Sequence, residues 1–145
     1  MKIKNIVAII FFLTYVIRQL FVDKLFIKKS IKDLLTEWEK RREIGKELFY
    51  KPSTGLKRMW GDCDDFVTVM AAKLNQLNKK FKIGFLIKNN GAYHVFIVVI
   101  NKDLSYTLLD PWVSRKPIKF KKEIYKKAER VVLYDINFKE NLLWK

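Results

Sequence analysis

One cysteine, Cys63, and one histidine, His94, set the terms on which this 145-residue chain can fold. A single thiol closes no internal disulfide, and a zinc centre needs several Cys and His ligands that the chain does not have. The fold must therefore rest on a hydrophobic core. Half of the residues are hydrophobic by the broad count, with 11 Phe, 6 Tyr and 4 Trp. A disordered chain is poor in aromatics, and the length fits one domain of ordinary size. The same two counts constrain chemistry: a reaction that needs an imidazole must use His94, and one that needs a thiol must use Cys63.

The formal net charge is +15. It points to attraction for phosphates, anionic lipid or acidic polymers, and carries no information about fold. Its distribution is uneven. Residues 1–60 are net +8, residues 61–114 only +1, and residues 115–145 net +6. The nearly neutral middle holds Asp62, Asp64 and Asp65. A nucleic-acid enzyme more often gathers its basic residues around its chemistry. Here they flank it, so nucleic acid is not an expected partner.

Residues 6–17 read IVAIIFFLTYVI without a charge, after Lys2 and Lys4 and before Arg18. A spanning helix wants about twenty apolar residues. Extending the run to Val22 takes in Arg18 and Gln19. On a helical wheel Ile6, Ile9, Ile10, Leu13, Ile17, Leu20 and Phe21 share one face, and Lys4, Ala8, Tyr15, Arg18 and Gln19 the other. Two readings stand: a membrane anchor or interfacial helix, or an amphipathic helix packed on the domain. On the first reading residues 1–29 attach a domain of residues 30–145 to a membrane, with the domain on the cytoplasmic side. The expected location is then membrane-associated or cytoplasmic.

Ser30 opens a helix expected to reach about Phe49, because S-I-K-D puts an acid three residues after a capping serine. Ile31, Leu34, Leu35, Trp38 and Leu48 keep helical spacing. Residues Pro52 to Gly55 are read as a break. A further helix starts at Asp62 or Cys63, with Phe66, Met70, Leu74 and Leu77 as its buried stripe. Strands are expected at residues 81–88, 92–100, 105–109 and 131–136, with a turn at Asn89-Asn90-Gly91. Residues 119–130 read as a basic helix. The fold class is α+β, helices packed on an antiparallel sheet, with an extra hydrophobic helix at the N-terminus.

Three chemical pieces stand in order along this framework. Cys63 begins a helix, His94 lies near the start of a strand, and Asp110 ends the next strand. A turn centred near Lys102 sets position 94 opposite roughly position 110, within cross-strand reach. Each piece alone has a commoner explanation: a buried thiol, a satisfied side chain, a turn residue before Pro111. Together they are the parts of nucleophile, base and orienting acid. The backbone N–H of Cys63 is a natural oxyanion donor. Trp60 and Trp112 are read as cleft wall or core.

From Trp60 to Trp112 the chain resembles the transglutaminase-like branch of the papain-like cysteine enzymes. The matching pieces are G-D-C-D-D at 61–65, Y-H-V-F-I-V-V at 93–99 and L-L-D-P-W at 108–112. The resemblance implies a papain-like fold, with Cys63 as nucleophile, His94 as base and Asp110 as acid. It implies peptidase, amidase or acyl-transfer chemistry on an amide. Some bacterial proteinases of this type bind calcium through the acids flanking the cysteine, positions that Asp62 and Asp64 match. Two carboxylates are too few ligands for calcium, and helix capping is the expected role.

The expected function is thus cysteine-dependent hydrolysis of an amide in a peptide or protein substrate, through a Cys63–His94–Asp110 triad and a thioester. No cofactor and no metal is expected. The alternative is a catalytically silent basic scaffold of the same fold on a membrane, a virion or nucleic acid. The charge favours the scaffold and the ordered triad the enzyme.

Overall fold

The computed structural model describes residues 9, 12–16, 18, 26–41, 52–89 and 91–135. Ser30 caps α1 (Ile31–Glu37), its Oγ accepting the Asp33 N–H at 3.0 Å. The helix stops at Trp38, which turns to extended geometry and buries its indole. The indole N–H donates to Gly61 O at 3.3 Å. The next two residues form β1 (Glu39–Lys40), paired in parallel with β2 (Trp60–Gly61). The long helix expected from Ser30 is therefore cut at Glu37, because Trp38 gains more from core burial than from continuing the helix. Its expected remainder at residues 42–49, Leu48 included, lies outside the described residues. The break expected at Pro52–Gly55 is instead the start of α2 (Pro52–Arg58). Proline at a first helical position forfeits no hydrogen bond.

The central element is α3 (Cys63–Gln76), buried at every position from Cys63 to Leu74. It is wrapped on all sides rather than along one stripe. Leu77, expected in that stripe, lies past the helix end and is exposed. One flank of α3 meets a five-stranded antiparallel sheet in the order β6-β5-β4-β3-β7. The strands are β3 (Phe81–Lys88), β4 (Gly91–Ile100), β5 (Tyr106–Leu109), β6 (Ile118–Lys119) and β7 (Arg130–Asp135). Alternation divides each strand between two cores. Ile83, Phe85, Val95, Ile97 and Val99 join the cluster around α3. Leu86, Phe96, Val98 and Leu108 form a second cluster on the opposite face.

The second face is covered by residues 118–125, where a basic helix was expected. Ile118–Lys119 is instead an edge strand, and Lys122–Tyr125 a single 3-10 turn. Phe120, Ile124 and Tyr125 pack onto the second cluster from it. The lysine-rich pattern has too few apolar positions to bury a helix face, but enough to anchor a short turn.

The described N-terminal residues are helical at 9, 12–16 and 18. Ile9, Phe12, Leu13 and Val16 belong to the α3 core, and Phe12 meets Phe85 edge-on at 6.0 Å. Of the face read from the helical wheel, Ile6, Ile10, Ile17, Leu20 and Phe21 lie outside the described residues. Ile9 and Leu13 point into protein. Among the described residues no helix is long and apolar enough to cross a membrane.

Candidate active site

The start of α3 is fixed by its own acids. Asp62 is the N-cap. The Asp65 carboxylate accepts the Asp62 N–H at 3.2 Å, and Asp62 caps Asp65 in return. Asp64 Oδ1 accepts the Asp65 N–H at 2.9 Å. This is the capping role expected of these acids, whose charge also suits the positive end of the helix. Their oxygens gather within 4.8 Å of one another, and Asp64 Oδ2 is buried. A hard cation could share such oxygens, but the hydrogen bonds named here already account for one oxygen of each residue. Gly61 makes the approach possible. Its φ is +152°, and a Cβ there would stand 2.4 Å from Asp65 Oδ2. Cys63 follows as the first helical residue, buried, with its backbone N–H at the open end of the helix.

His94 is aimed by a β-bulge. Leu86 pairs with His94 while Ile87 pairs with Ala92, so Tyr93 is the extra residue on β4. A bulge bends its strand and redirects the neighbouring side chain. The imidazole lies on the second-cluster face, stacked on Phe96 at 6.5 Å and 20°. Trp112 meets it edge-on at 5.9 Å, and Tyr125 is tilted over it at 6.0 Å. Trp112 is thus a wall of the site and is 37% exposed. Trp60 is held differently: the Arg58 guanidinium lies 3.5 Å over its ring and that of Arg41 at 4.6 Å.

Asp110 follows β5. The ladder pairs Ile97 with Leu109 and Ile100 with Tyr106. Continued by one residue it would set Asp110 opposite Phe96, two positions from the register expected for His94. A two-residue slip keeps side chains on the same face, so Asp110 becomes a diagonal neighbour of His94. The gap closes: His94 Nε2 lies 2.7 Å from Asp110 Oδ2. The other carboxylate oxygen accepts the Trp112 N–H at 3.0 Å, and the Asp110 carbonyl accepts from Val113 and Ser114. A local turn thus locks the carboxylate.

Cys63 lies near enough to the imidazole to help raise its pKa. With Nε2 committed to Asp110, Nδ1 is the ring nitrogen left for another partner. The structure thus brings the imidazole and the carboxylate together and sets Cys63 near the ring at the start of α3. Burial works against charging the ring. The hydrogen bond and charge of Asp110 and the nearness of Cys63 outweigh it, and the His94 pKa rises to about 10. The site thus favours the charged form of the ring.

One member of the site left no mark in the sequence. Tyr125, in the 3-10 turn, donates its hydroxyl to Asp110 Oδ2 at 2.6 Å. Its surroundings in the sequence are lysines, which read as a solvated surface. Only the packing of Phe120 and Ile124 on the second cluster brings it inward.

Compared with protein-family models, curated proteins and solved structures, the chain has no match. What the fold and site define is an α+β protein, helices on a five-stranded antiparallel sheet, with a hydrogen-bonded His94–Asp110 pair and a buried Cys63 as the first residue of the central helix.

Proposed function

We propose that this chain is a cysteine-dependent amide hydrolase of papain-like, transglutaminase-like type, acting on a peptide or protein substrate. The observation that carries the reading is the His94–Asp110 hydrogen bond of 2.7 Å, on a ring whose charged form Cys63 also favours. That is the division of labour a nucleophile, a base and an orienting acid require.

In the reaction His94 holds the proton of Cys63, leaving a thiolate. The sulfur attacks the amide carbon, and the carbonyl oxygen takes the negative charge. The Cys63 N–H, at the positive end of α3, is placed to stabilise that charge. The imidazolium gives its proton to the departing amine as the C–N bond breaks, which leaves a thioester on Cys63. His94, now neutral, takes a proton from water as the water oxygen attacks the thioester. The carboxylic acid departs, and the proton returns to the thiol–imidazole pair. Asp110 keeps the ring oriented and favours its charged form throughout.

The test uses the full chain with iodoacetamide and a mixture of unlabelled peptides. Alkylation of Cys63 should be far faster than that of free cysteine at neutral pH, and peptide bonds should be cut by the native chain but not by Cys63→Ala. A sluggish thiol and intact peptides would return the protein to the silent basic scaffold that its net charge favours.

A further inference from the structure

Asp110 Oδ2 is shared. His94 Nε2 donates to it at 2.7 Å and the Tyr125 hydroxyl at 2.6 Å, while Oδ1 takes the Trp112 N–H at 3.0 Å. Three donors around one carboxylate leave it little freedom to rotate. The Tyr125 ring is itself fixed, lying 4.7 Å from Phe96, the ring on which His94 stacks. We propose that Tyr125 is a positioning residue, which holds the Asp110 carboxylate on His94 and moderates its pull on the imidazole proton. This rests on the reading of Cys63, His94 and Asp110 as a triad.

The physical reason is a competition for one oxygen. A donor to a carboxylate draws on the same electron density that holds the imidazolium. With Tyr125 in place, His94 can give up its proton to a leaving amine more readily than it could to an amine facing an unshared Asp–His pair. The phenol must remain a donor for this to work. Burial, the charge of Asp110 and its hydrogen bond all push its ionisation upward, so it stays protonated. The groups facing His94 are Cys63 from α3, Asp110 after β5 and Tyr125 from the 3-10 turn. Tyr93 adjoins on β4, and Asp62, Asp64 and Asp65 flank Cys63. Among these, Tyr125 and the Trp112 backbone are the donors that Asp110 holds besides His94.

His94 is the chain's one histidine, so a sample carrying 15N-histidine has a single imidazole to follow. The experiment titrates that imidazole by NMR in the full chain and in Tyr125→Phe, which keeps the ring on Phe96, and measures the pH profile of Cys63 alkylation in both. Loss of the phenol should raise the imidazole pKa by about half a unit or more, with the alkaline limb of alkylation moving the same way. An unchanged titration in a variant that melts at the native temperature would overturn the proposal and leave Tyr125 as packing. Should Tyr125→Phe fail to fold, 3-fluorotyrosine at this position supplies a nearly isosteric ring and a stronger donor. It should lower the imidazole pKa, and no change would again overturn the proposal. A wild-type thiol no faster than free cysteine ends the hydrolase reading by a separate measurement, while the imidazole titration still decides what Tyr125 does to His94.

Discussion

Gly84 and Phe96 lie opposite one another in β3 and β4, and the Phe96 ring fills the space a Gly84 side chain would take. A Cβ on Gly84 would stand 2.2 Å from Phe96 Cζ. The ring is not idle in that position, since His94 and Tyr125 both pack on it. Gly84→Ala must displace the ring on which His94 stacks. Overpacking of this kind costs about 1–3 kcal/mol, so the urea midpoint should fall. Alkylation of Cys63 should slow as well, because the imidazole loses its platform. A variant destabilised by that amount with native Cys63 reactivity would show that Phe96 supports the sheet and not the site.

Gly61→Ala attacks the site from its other side. The left-handed φ of +152° strains any side chain, and the added methyl meets the Asp65 carboxylate that caps α3. Loss of a cap costs about 0.5–2 kcal/mol, with backbone strain of about 1–3 kcal/mol in addition. The expected outcome is a clear drop in melting temperature together with loss of Cys63 reactivity, since Cys63 begins the turn that the cap holds. Asp65→Asn, which removes the charge and keeps the shape, should be milder on both counts.

Stability should depend on pH through His94. Its pKa in the folded chain is about 10, against an ordinary value of 6.5. The folded state therefore holds a proton that the unfolded chain releases. The stabilisation is fully present below about pH 6.5 and falls as pH rises, until it is gone above about pH 10. Urea midpoints of Cys63→Ala, in which no thiol lends the ring its proton, should decline between about pH 7 and about pH 9.5. With Asp110→Asn added the decline should flatten, because the ring loses the carboxylate that sustains its charge. On the proposed hydrolase reading Asp110→Asn alone should lose roughly 10⁴-fold in peptide hydrolysis. A decline equally steep with Asp110→Asn would place its origin outside the His94–Asp110 pair.

How far these features could be read beforehand depended on the range of the interactions that fix them. The cap at Ser30, the start of α3 and the pairing of β3 with β4 are written in neighbouring residues, and strand alternation is a period of two. These were legible. The meeting of His94 and Asp110 was legible in outline, since alternation survives a two-residue error in register. The bulge at Tyr93 was not, because nothing in Ala92-Tyr93-His94 distinguishes an extra residue from a paired one. The early end of α1 depends on where the Trp38 indole finds space and the Gly61 carbonyl, 23 residues away. Tyr125 reaches Asp110 only through a core cluster that gathers residues from β3 to β7. Local pattern carries no signal for contacts of that kind.

The apolar run near the N-terminus gives the last prediction. Ile9, Phe12, Leu13, Val16 and Ile27 are all buried in the core around α3. Burial of one such side chain is worth about 1.5–3 kcal/mol, and a whole domain is stable by only about 5–15 kcal/mol. Removing all five should exceed what the domain can lose. The connection to α3 is polar too. Gln76 Oε1 accepts the Ile27 N–H at 2.6 Å, while the Ile27 carbonyl accepts from Lys73 Nζ at 2.8 Å and Gln76 Nε2 at 3.0 Å. Lys73 is buried, so loss of that carbonyl would leave an ammonium in the protein without this acceptor. A chain starting at Ser30 should therefore aggregate or lack a cooperative transition. Phe12→Ala in the full chain, which opens a cavity against Phe85, should cost about 3–5 kcal/mol. Lys73→Met gives the polar half of the same test. It fills the site without a charge and should be tolerated better in the truncated chain than lysine is. A truncated chain that unfolds cooperatively with the native midpoint would show that these residues add nothing to the core, and the basic, apolar run would then be free to bind a lipid surface.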